Sequence, residues 1–176
     1  MDLVALGSAD LDHATRAGLR ALWDLAFPEG FSDEDEAHAY GGVHVLVRAD
    51  GDPVAHASAV PRRIRFGPTW HTVAYVEAVA THPAHRGRGL GRAVMQRLHD
   101  EIAGRWPVAM LSTGSATGFY ERLGWERWQG TSYTRTPTGT VADGEQDGLM
   151  ILRLDPLLVP DLRVHVVCED RPGDAW

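Results

Sequence analysis

Residues 79–102 constrain this chain more tightly than any other stretch. The apolar Val79-Ala80-Thr81 leads through His82-Pro83 into Arg86-Gly87-Arg88-Gly89-Leu90-Gly91-Arg92, and Leu90, Val94, Leu98 and Ile102 follow at a spacing of four. Apolar positions four apart line one face of a helix, so the order is strand, glycine loop, helix. Gly87 and Gly89 let the backbone approach a ligand, and the N–H groups and dipole of a helix N-terminus attract a phosphate. Arg88 and Arg92 add cationic donors. Glycine spacing alone also suits an ordinary helix start. The loop is not a dinucleotide fingerprint, because Arg92 stands where a third glycine is needed. Nor is it a Walker loop, because all 17 basic residues are arginine and the chain has no lysine. The same absence excludes a pyridoxal-phosphate Schiff base and a lysine base.

At 176 residues the chain is sized for a single domain spanning 1–176. About 70% of the unfolded surface can be buried at this length. Apolar residues make up 44% and charged residues 23%, which excludes a disordered or collagen-like chain. Twenty-four acids against 17 arginines leave a net charge of −7, which argues against a nucleic-acid partner and suits a cationic one. The single Cys168 allows neither an internal disulfide nor a cysteine zinc cluster, and fits a reducing compartment. The opening Met1-Asp2-Leu3-Val4-Ala5-Leu6-Gly7 has no basic region and soon meets Asp10 and Asp12, unlike a signal peptide. No apolar run reaches the roughly 18 residues of a membrane span. A cytoplasmic protein with no membrane partner is expected.

Residues 3–6 read as a short strand. Ser8-Ala9-Asp10 offers caps to a helix carrying Leu11, Leu19, Leu22, Leu25 and Ala26, closed by Pro28 and Gly30. Ser32-Asp33-Glu34-Asp35-Glu36-Ala37-His38 reads as the acidic first turn of a second helix, with a solvated face as its plain reading. Residues 43–47 and 54–66 form an antiparallel hairpin around Asp50-Gly51-Asp52, and residues 70–81 add a third strand. An ideal strand puts Val73, Tyr75, Glu77 and Val79 on one face. A carboxylate in that apolar row requires a polar cleft or a bulge near Glu77. Residues 107–111 make another strand, residues 115–123 a short helix stopping at Gly124, and residues 134–148 a long loop. Residues 149–154 are apolar, and residues 164–168 are a last strand before a polar tail.

Three antiparallel strands, then Val79-Ala80-Thr81-His82-Pro83, the loop, an amphipathic helix, a strand and Gly118-Phe119-Tyr120-Glu121-Arg122-Leu123-Gly124-Trp125 together resemble the GNAT acetyltransferase superfamily. A narrower resemblance runs through nearly the whole chain. Ala9-Asp10-Leu11-Asp12, Gly41-Gly42-Val43-His44, Tyr75-Val76-Glu77-Ala78-Val79-Ala80 and the tail Cys168-Glu169-Asp170-Arg171-Pro172-Gly173-Asp174-Ala175-Trp176 are similar to the aminoglycoside 2'-N-acetyltransferases. The tail is the part that the wider superfamily does not share.

The resemblance implies an α/β (α+β) fold whose mixed, mostly antiparallel central sheet is splayed at the acetyl-CoA site and flanked by helices. It implies direct N-acetylation of the 2'-amine of an aminoglycoside from acetyl-CoA, with antibiotic resistance as the consequence, through a tetrahedral intermediate and without a metal. Arg86, Gly87, Arg88, Gly89, Leu90, Gly91 and Arg92 correspond to the pyrophosphate loop. The Val79 backbone N–H corresponds to the donor facing the thioester carbonyl, and Ala80 and Thr81 continue along the pantetheine. Glu77 is the candidate general base, acting through water, and Tyr120 the candidate general acid toward the CoA sulfur. Asp35, Glu77, Asp147, Asp174 and the carboxylate of Trp176 match a polycationic substrate. Ser112 and Thr113 are candidate polar contacts to substrate or pantetheine, and a homodimer is implied by the resemblance alone.

Plainer readings stand beside these: Val79 as core, Glu77 as an ion pair, Tyr120 as a packed aromatic, Asp35 and Asp147 as solvated acids. Two other functions also fit, a GNAT enzyme for another small amine or a protein N-terminus, and a non-catalytic domain that binds CoA or a cation. His82-Pro83-Ala84-His85 lacks a third clustered ligand for zinc. Ser112-Thr113-Gly114-Ser115-Ala116-Thr117-Gly118 has alanine at the centre, where a nucleophile elbow needs serine.

Overall fold

The computed structural model describes residues 1–143, 148–158 and 160–176, so Asp147 lies outside the described residues. The chain divides into two compact units, Met1–Val60 with Val76–Ile102, and Pro61–Tyr75 with Ala103–Trp176.

In the first unit, β1 (Asp2–Gly7) pairs antiparallel with β2 (Val43–Ala49), which pairs antiparallel with the start of β3 (Asp52–Phe66). Alternation along β2 sorts the helices. Leu46 lies in a core with Leu19, Leu22 and Trp23 of α1 (His13–Ala26), together with Ala39 and Ala80. The helix α3 (Leu90–Ile102) packs on β1 and β2 and buries Val94, Met95, Leu98 and Ile102, matching the stripe in the sequence. The cap of α1 is Asp12, whose carboxylate accepts the Thr15 N–H at 2.8 Å; Ser8–Asp10, expected as the cap, form a separate 3-10 turn. The helix α2 (Asp33–Ala39) starts with a capping box between Ser32 and Asp35. Its acids are not simply solvated, since Arg20 reaches Asp33 and Glu36 as well as Asp24 at 2.8–2.9 Å. Gly42 admits no side chain: a Cβ there would stand 1.9 Å from the Ala59 carbonyl oxygen.

In the second unit the strand order is β6 (Glu126–Arg127), β9 (Leu149–Arg153), β5 (Val108–Ser112), the first part of β4 (Thr69–Thr81), the last part of β3, β10 (Val166–Glu169), β7 (Ser132–Thr136), β8 (Gly139–Ala142). The β4–β5 and β10–β7 ladders are parallel, and the β5–β9, β6–β9, β3–β10 and β7–β8 ladders are antiparallel. The sheet is therefore mixed and mostly antiparallel, as expected. The β4–β5 ladder consists of Ala74↔Ala109 and Tyr75↔Met110.

Two expectations fail here. The stretch 134–148, read as loop, holds the end of β7 and all of β8, a hairpin whose turn is closed by the Thr136 hydroxyl on the Gly139 carbonyl at 2.9 Å. Its threonines and Val141 favour extended backbone despite the loop-like Pro and Gly. The last strand begins at Val166, not at 164, because its partners are Ser132 and Phe66. The helix α4 (Thr117–Glu121) lies within the expected segment.

Candidate active site

β4 is buried from Val73 to Val76, half-buried at Glu77, Ala78 and Val79, and buried again at Ala80. Ala78 has φ +50°, in the left-handed region that a β-carbon disfavours. This is the backbone irregularity that a carboxylate in an apolar strand required. Successive carbonyls of a regular strand point opposite ways, yet those of Glu77 and Ala78 both meet β3 side chains. The Ser58 hydroxyl donates to the Glu77 carbonyl at 3.2 Å, and His56 Nδ1 lies 2.8 Å from the Ala78 carbonyl oxygen. Val79 and Thr81 are half-buried, and Ala80 joins the first unit's core.

Five residues past β4 the chain enters the glycine loop. Gly87 and Gly89 both have φ +77°, and a Cβ on either would meet nothing within 4 Å. Conformation, not crowding, requires glycine there. Arg86, Arg88 and Arg92 are exposed. The Ala93 N–H reaches the Gly89 carbonyl at 3.0 Å, so α3 begins directly from the loop. The first N–H groups of a helix have no acceptor within it. An exposed, cationic loop feeding a 13-residue helix fits a phosphate group.

The second unit holds the other candidates. Ser112 ends β5 opposite Leu149. Thr113 shapes the next turn, donating its N–H to the Gly148 carbonyl at 3.0 Å and accepting the Ala116 N–H on Oγ1 at 3.2 Å. Tyr120 on α4 is 6% exposed, with the rings of Phe119 and Trp125 at 5.0 and 5.9 Å. Burial pushes its phenol above the ordinary tyrosine range, so it stays protonated. In the tail, the Trp176 N–H donates to Asp174 Oδ1 at 3.0 Å, and Arg62 donates to the Ala175 carbonyl at 2.7 Å.

The first unit thus places Glu77, Val79, Ala80 and Thr81 on one strand that runs toward the Arg86–Arg92 loop, and the second links Asp174 to Trp176. Asp35 is half-buried on α2, where its carboxylate accepts the Ser32 N–H at 2.9 Å, a structural task. The buried contacts among Ser8, His44, His56 and Ser58 have no counterpart in the sequence pattern. His44, His56 and Ser58 show there only as polar residues inside apolar strands, and the β2–β3 register is needed to see that they meet. Among the described residues no three His, Cys, Asp or Glu side chains are grouped to hold a metal ion, and no helix is long and apolar enough to cross a membrane.

The family model for an acetyltransferase (GNAT) domain matches residues 11–128. This chain belongs to the GNAT acetyltransferase family. The GNAT acetyltransferase is 37% identical over 176 residues to the aminoglycoside 2'-N-acetyltransferase of Mycolicibacterium fortuitum, with 96% of this chain and 89% of the relative covered. The GNAT family N-acetyltransferase YhbS of Escherichia coli, solved in complex with CoA, has the same fold, with a TM-score of 0.67 at 16% identity over 94% of this chain and 89% of that one. Eis1 of Mycobacterium abscessus matches with a TM-score of 0.59 at 21% identity over 74% of this chain. The chain spans about a third of the length of that protein, 32%.

Proposed function

We propose that this GNAT acetyltransferase transfers the acetyl group of acetyl-CoA to the 2'-amine of an aminoglycoside, and thereby inactivates such antibiotics. The observation that carries the reading is the 37% identity, over 96% of the chain and 89% of the relative, to an enzyme named for that reaction. Acetyl-CoA supplies an activated thioester. The left-handed glycines and exposed arginines of residues 86–92 hold its pyrophosphate, with the start of α3 adding unpaired N–H groups.

In this reading the Val79 N–H donates to the thioester carbonyl oxygen and stabilises the charge that develops there as the amine attacks. Glu77 takes the amine proton through a water. Tyr120 faces a constraint of its own. Its phenol is pushed above the ordinary range, while a thiol titrates near about 8.5, so full proton transfer to a leaving thiolate is uphill. Tyr120 therefore acts first as a hydrogen-bond donor to the departing sulfur. Asp174 and the Trp176 carboxylate attract ammonium groups of the acceptor.

Thiol release from acetyl-CoA tests the reading, with matched aminoglycosides carrying either an amine or a hydroxyl at the 2' position. Turnover only with the 2'-amine is expected. Equal turnover with both, or turnover with neither, overturns the assignment of acceptor and leaves a GNAT enzyme for another amine.

A further inference from the structure

The buried interior of the first unit holds a row of polar groups that nothing in the proposed chemistry uses. Ser8 Oγ lies 2.8 Å from His44 Nε2, His44 Nδ1 lies 3.0 Å from His56 Nε2, and His56 Nδ1 lies 2.8 Å from the Ala78 carbonyl oxygen. Both imidazoles are 0% exposed. His44 on β2 pairs with Ser58 on β3, which makes His44 and His56 diagonal neighbours on the face toward α1.

The shortest contacts set the donor and acceptor roles. A carbonyl oxygen can only accept, so His56 Nδ1 carries the proton and donates to Ala78. The Trp23 indole nitrogen, 3.3 Å from the same Nδ1, yields to this shorter contact. His56 Nε2 then accepts from His44 Nδ1–H, and His44 Nε2 at 2.8 Å accepts from the Ser8 hydroxyl in preference to the Gly42 carbonyl oxygen at 3.2 Å. Ser8 Oγ in turn accepts the N–H groups of Gly41 and Gly42 at 2.8 and 3.0 Å. The two links that end on a ring nitrogen require neutral rings, whereas the donation to Ala78 does not. Burial holds them so, with His56 lowered to about 3 and His44 to about 4, and the Arg16 guanidinium adds to the effect on His44. The other groups facing the pair are Trp23 of α1 and Tyr40, whose ring lies 5.4 Å from His44 and beneath the Arg16 guanidinium.

The chain of bonds ends at a revealing place. The Ala78 carbonyl and the Val79 N–H belong to one peptide group. Ala78 holds φ +50°, which costs a residue with a β-carbon free energy that something must offset. A hydrogen bond to the carbonyl also strengthens the N–H of the same peptide as a donor, because hydrogen bonds in series polarise one another.

We infer that His56 and His44 are positioning residues for acetyl transfer, which, with Ser8, hold Ala78 in its left-handed conformation and polarise the Ala78–Val79 peptide. The inference rests on the proposed role of the Val79 N–H toward the thioester carbonyl. Neither histidine touches substrate; both act through that peptide.

His56→Leu removes the donor. Displacing a donor to the developing oxyanion is expected to lower kcat about 100-fold. Binding of acetyl-CoA, measured by calorimetry, is expected to stay within about twofold, since the residues of the loop are untouched. His56→Asn, which keeps an N–H where Nδ1–H stands, is expected to recover most of the loss. The deciding variant adds Ala78→Gly to His56→Leu. Glycine takes the left-handed conformation unaided, so the double variant is expected to regain about tenfold in kcat over His56→Leu. A merely packed histidine would not be rescued by a glycine at 78, and no rescue overturns the inference.

Backbone 13C and 15N shifts of Ala78 and Val79 in labelled protein provide a readout that needs no acceptor. They are expected to leave left-handed values in His56→Leu and return in the double variant. Moved shifts in an enzyme that acetylates no amine end the acetyl-transfer reading and leave the positioning device. Unmoved shifts end the positioning device whatever the kinetics. If His56→Leu does not fold, Ser8→Ala breaks the chain at its half-buried end and is expected to lower kcat about threefold; an unchanged kcat and unmoved Ala78 and Val79 shifts then overturn the inference.

Discussion

The indole N–H of Trp176 donates to the carboxylate of Asp143 across 2.6 Å. The other oxygen of that carboxylate accepts the Thr134 hydroxyl, also at 2.6 Å, so one acid ties the tail to β7. Asp143→Ala is expected to lower the unfolding free energy by about 1–3 kcal/mol, because it strands a buried indole N–H. Asp143→Asn is expected to lose less, since its amide oxygen still accepts. Denaturant midpoints at constant m-value check this; a wild-type midpoint for Asp143→Ala would put the anchor of the tail elsewhere.

The histidine pair makes stability depend on pH in a defined window. In the unfolded chain both imidazoles titrate at about 6.5, but in the folded protein only at about 4 and about 3. Between those values the unfolded chain binds more protons, so stability is fully present above pH of about 6.5 and is lost as pH falls through about 4 toward about 3. Each unit of depression is worth about 1.4 kcal/mol. His44→Gln is expected to flatten the fall, read from unfolding curves at several pH values between those limits. An unchanged slope would assign the acid sensitivity to other groups.

Gly89→Ala tests the loop. An alanine held at φ +77° loses about 1–2 kcal/mol, and escaping the strain moves the N–H groups that start α3. The KM for acetyl-CoA is expected to rise about tenfold while the KM for the amine stays put. Equal rises in both constants would count against a loop dedicated to the pyrophosphate.

Glu77→Gln is expected to lower kcat about 100-fold near neutral pH, where the acceptor is an ammonium and needs a base. The deficit should shrink as pH approaches the amine's own pKa; a deficit independent of pH would remove Glu77 as the base. Tyr120→Phe is expected to lower kcat as well. Because burial pushes the Tyr120 phenol up, the wild-type enzyme should show no loss from its ionisation below pH of about 10. An undiminished kcat in Tyr120→Phe would exclude a role at the sulfur.

What the sequence made legible was local. Gly87, Gly89 and the Leu90 to Ile102 stripe carry their own conformational reasons, and Glu77 amid apolar neighbours announced an irregular backbone, found at Ala78. What stayed hidden depended on partners distant in the chain. The β7–β8 hairpin lies in a Thr-, Pro- and Gly-rich stretch without apolar alternation, and β10 finds β7 across more than thirty residues, Val166 opposite Ser132. His44 and His56 look like isolated polar intrusions until the β2–β3 register sets them diagonally. Asp12 displaced the Ser8–Asp10 cap because Ser8 was committed to Gly41 and Gly42.

The exposed arginines of the glycine loop have a chemical consequence of their own. An acetyltransferase carries an activated acyl group past its own surface, and a lysine beside it would be an amine that the acyl group can consume, erasing the positive charge. Arg86, Arg88 and Arg92 provide cations without an amine nucleophile, because a guanidinium delocalises its nitrogen lone pairs and offers donors only. With no lysine anywhere in the sequence, no ε-amine competes with the acceptor for the acyl group.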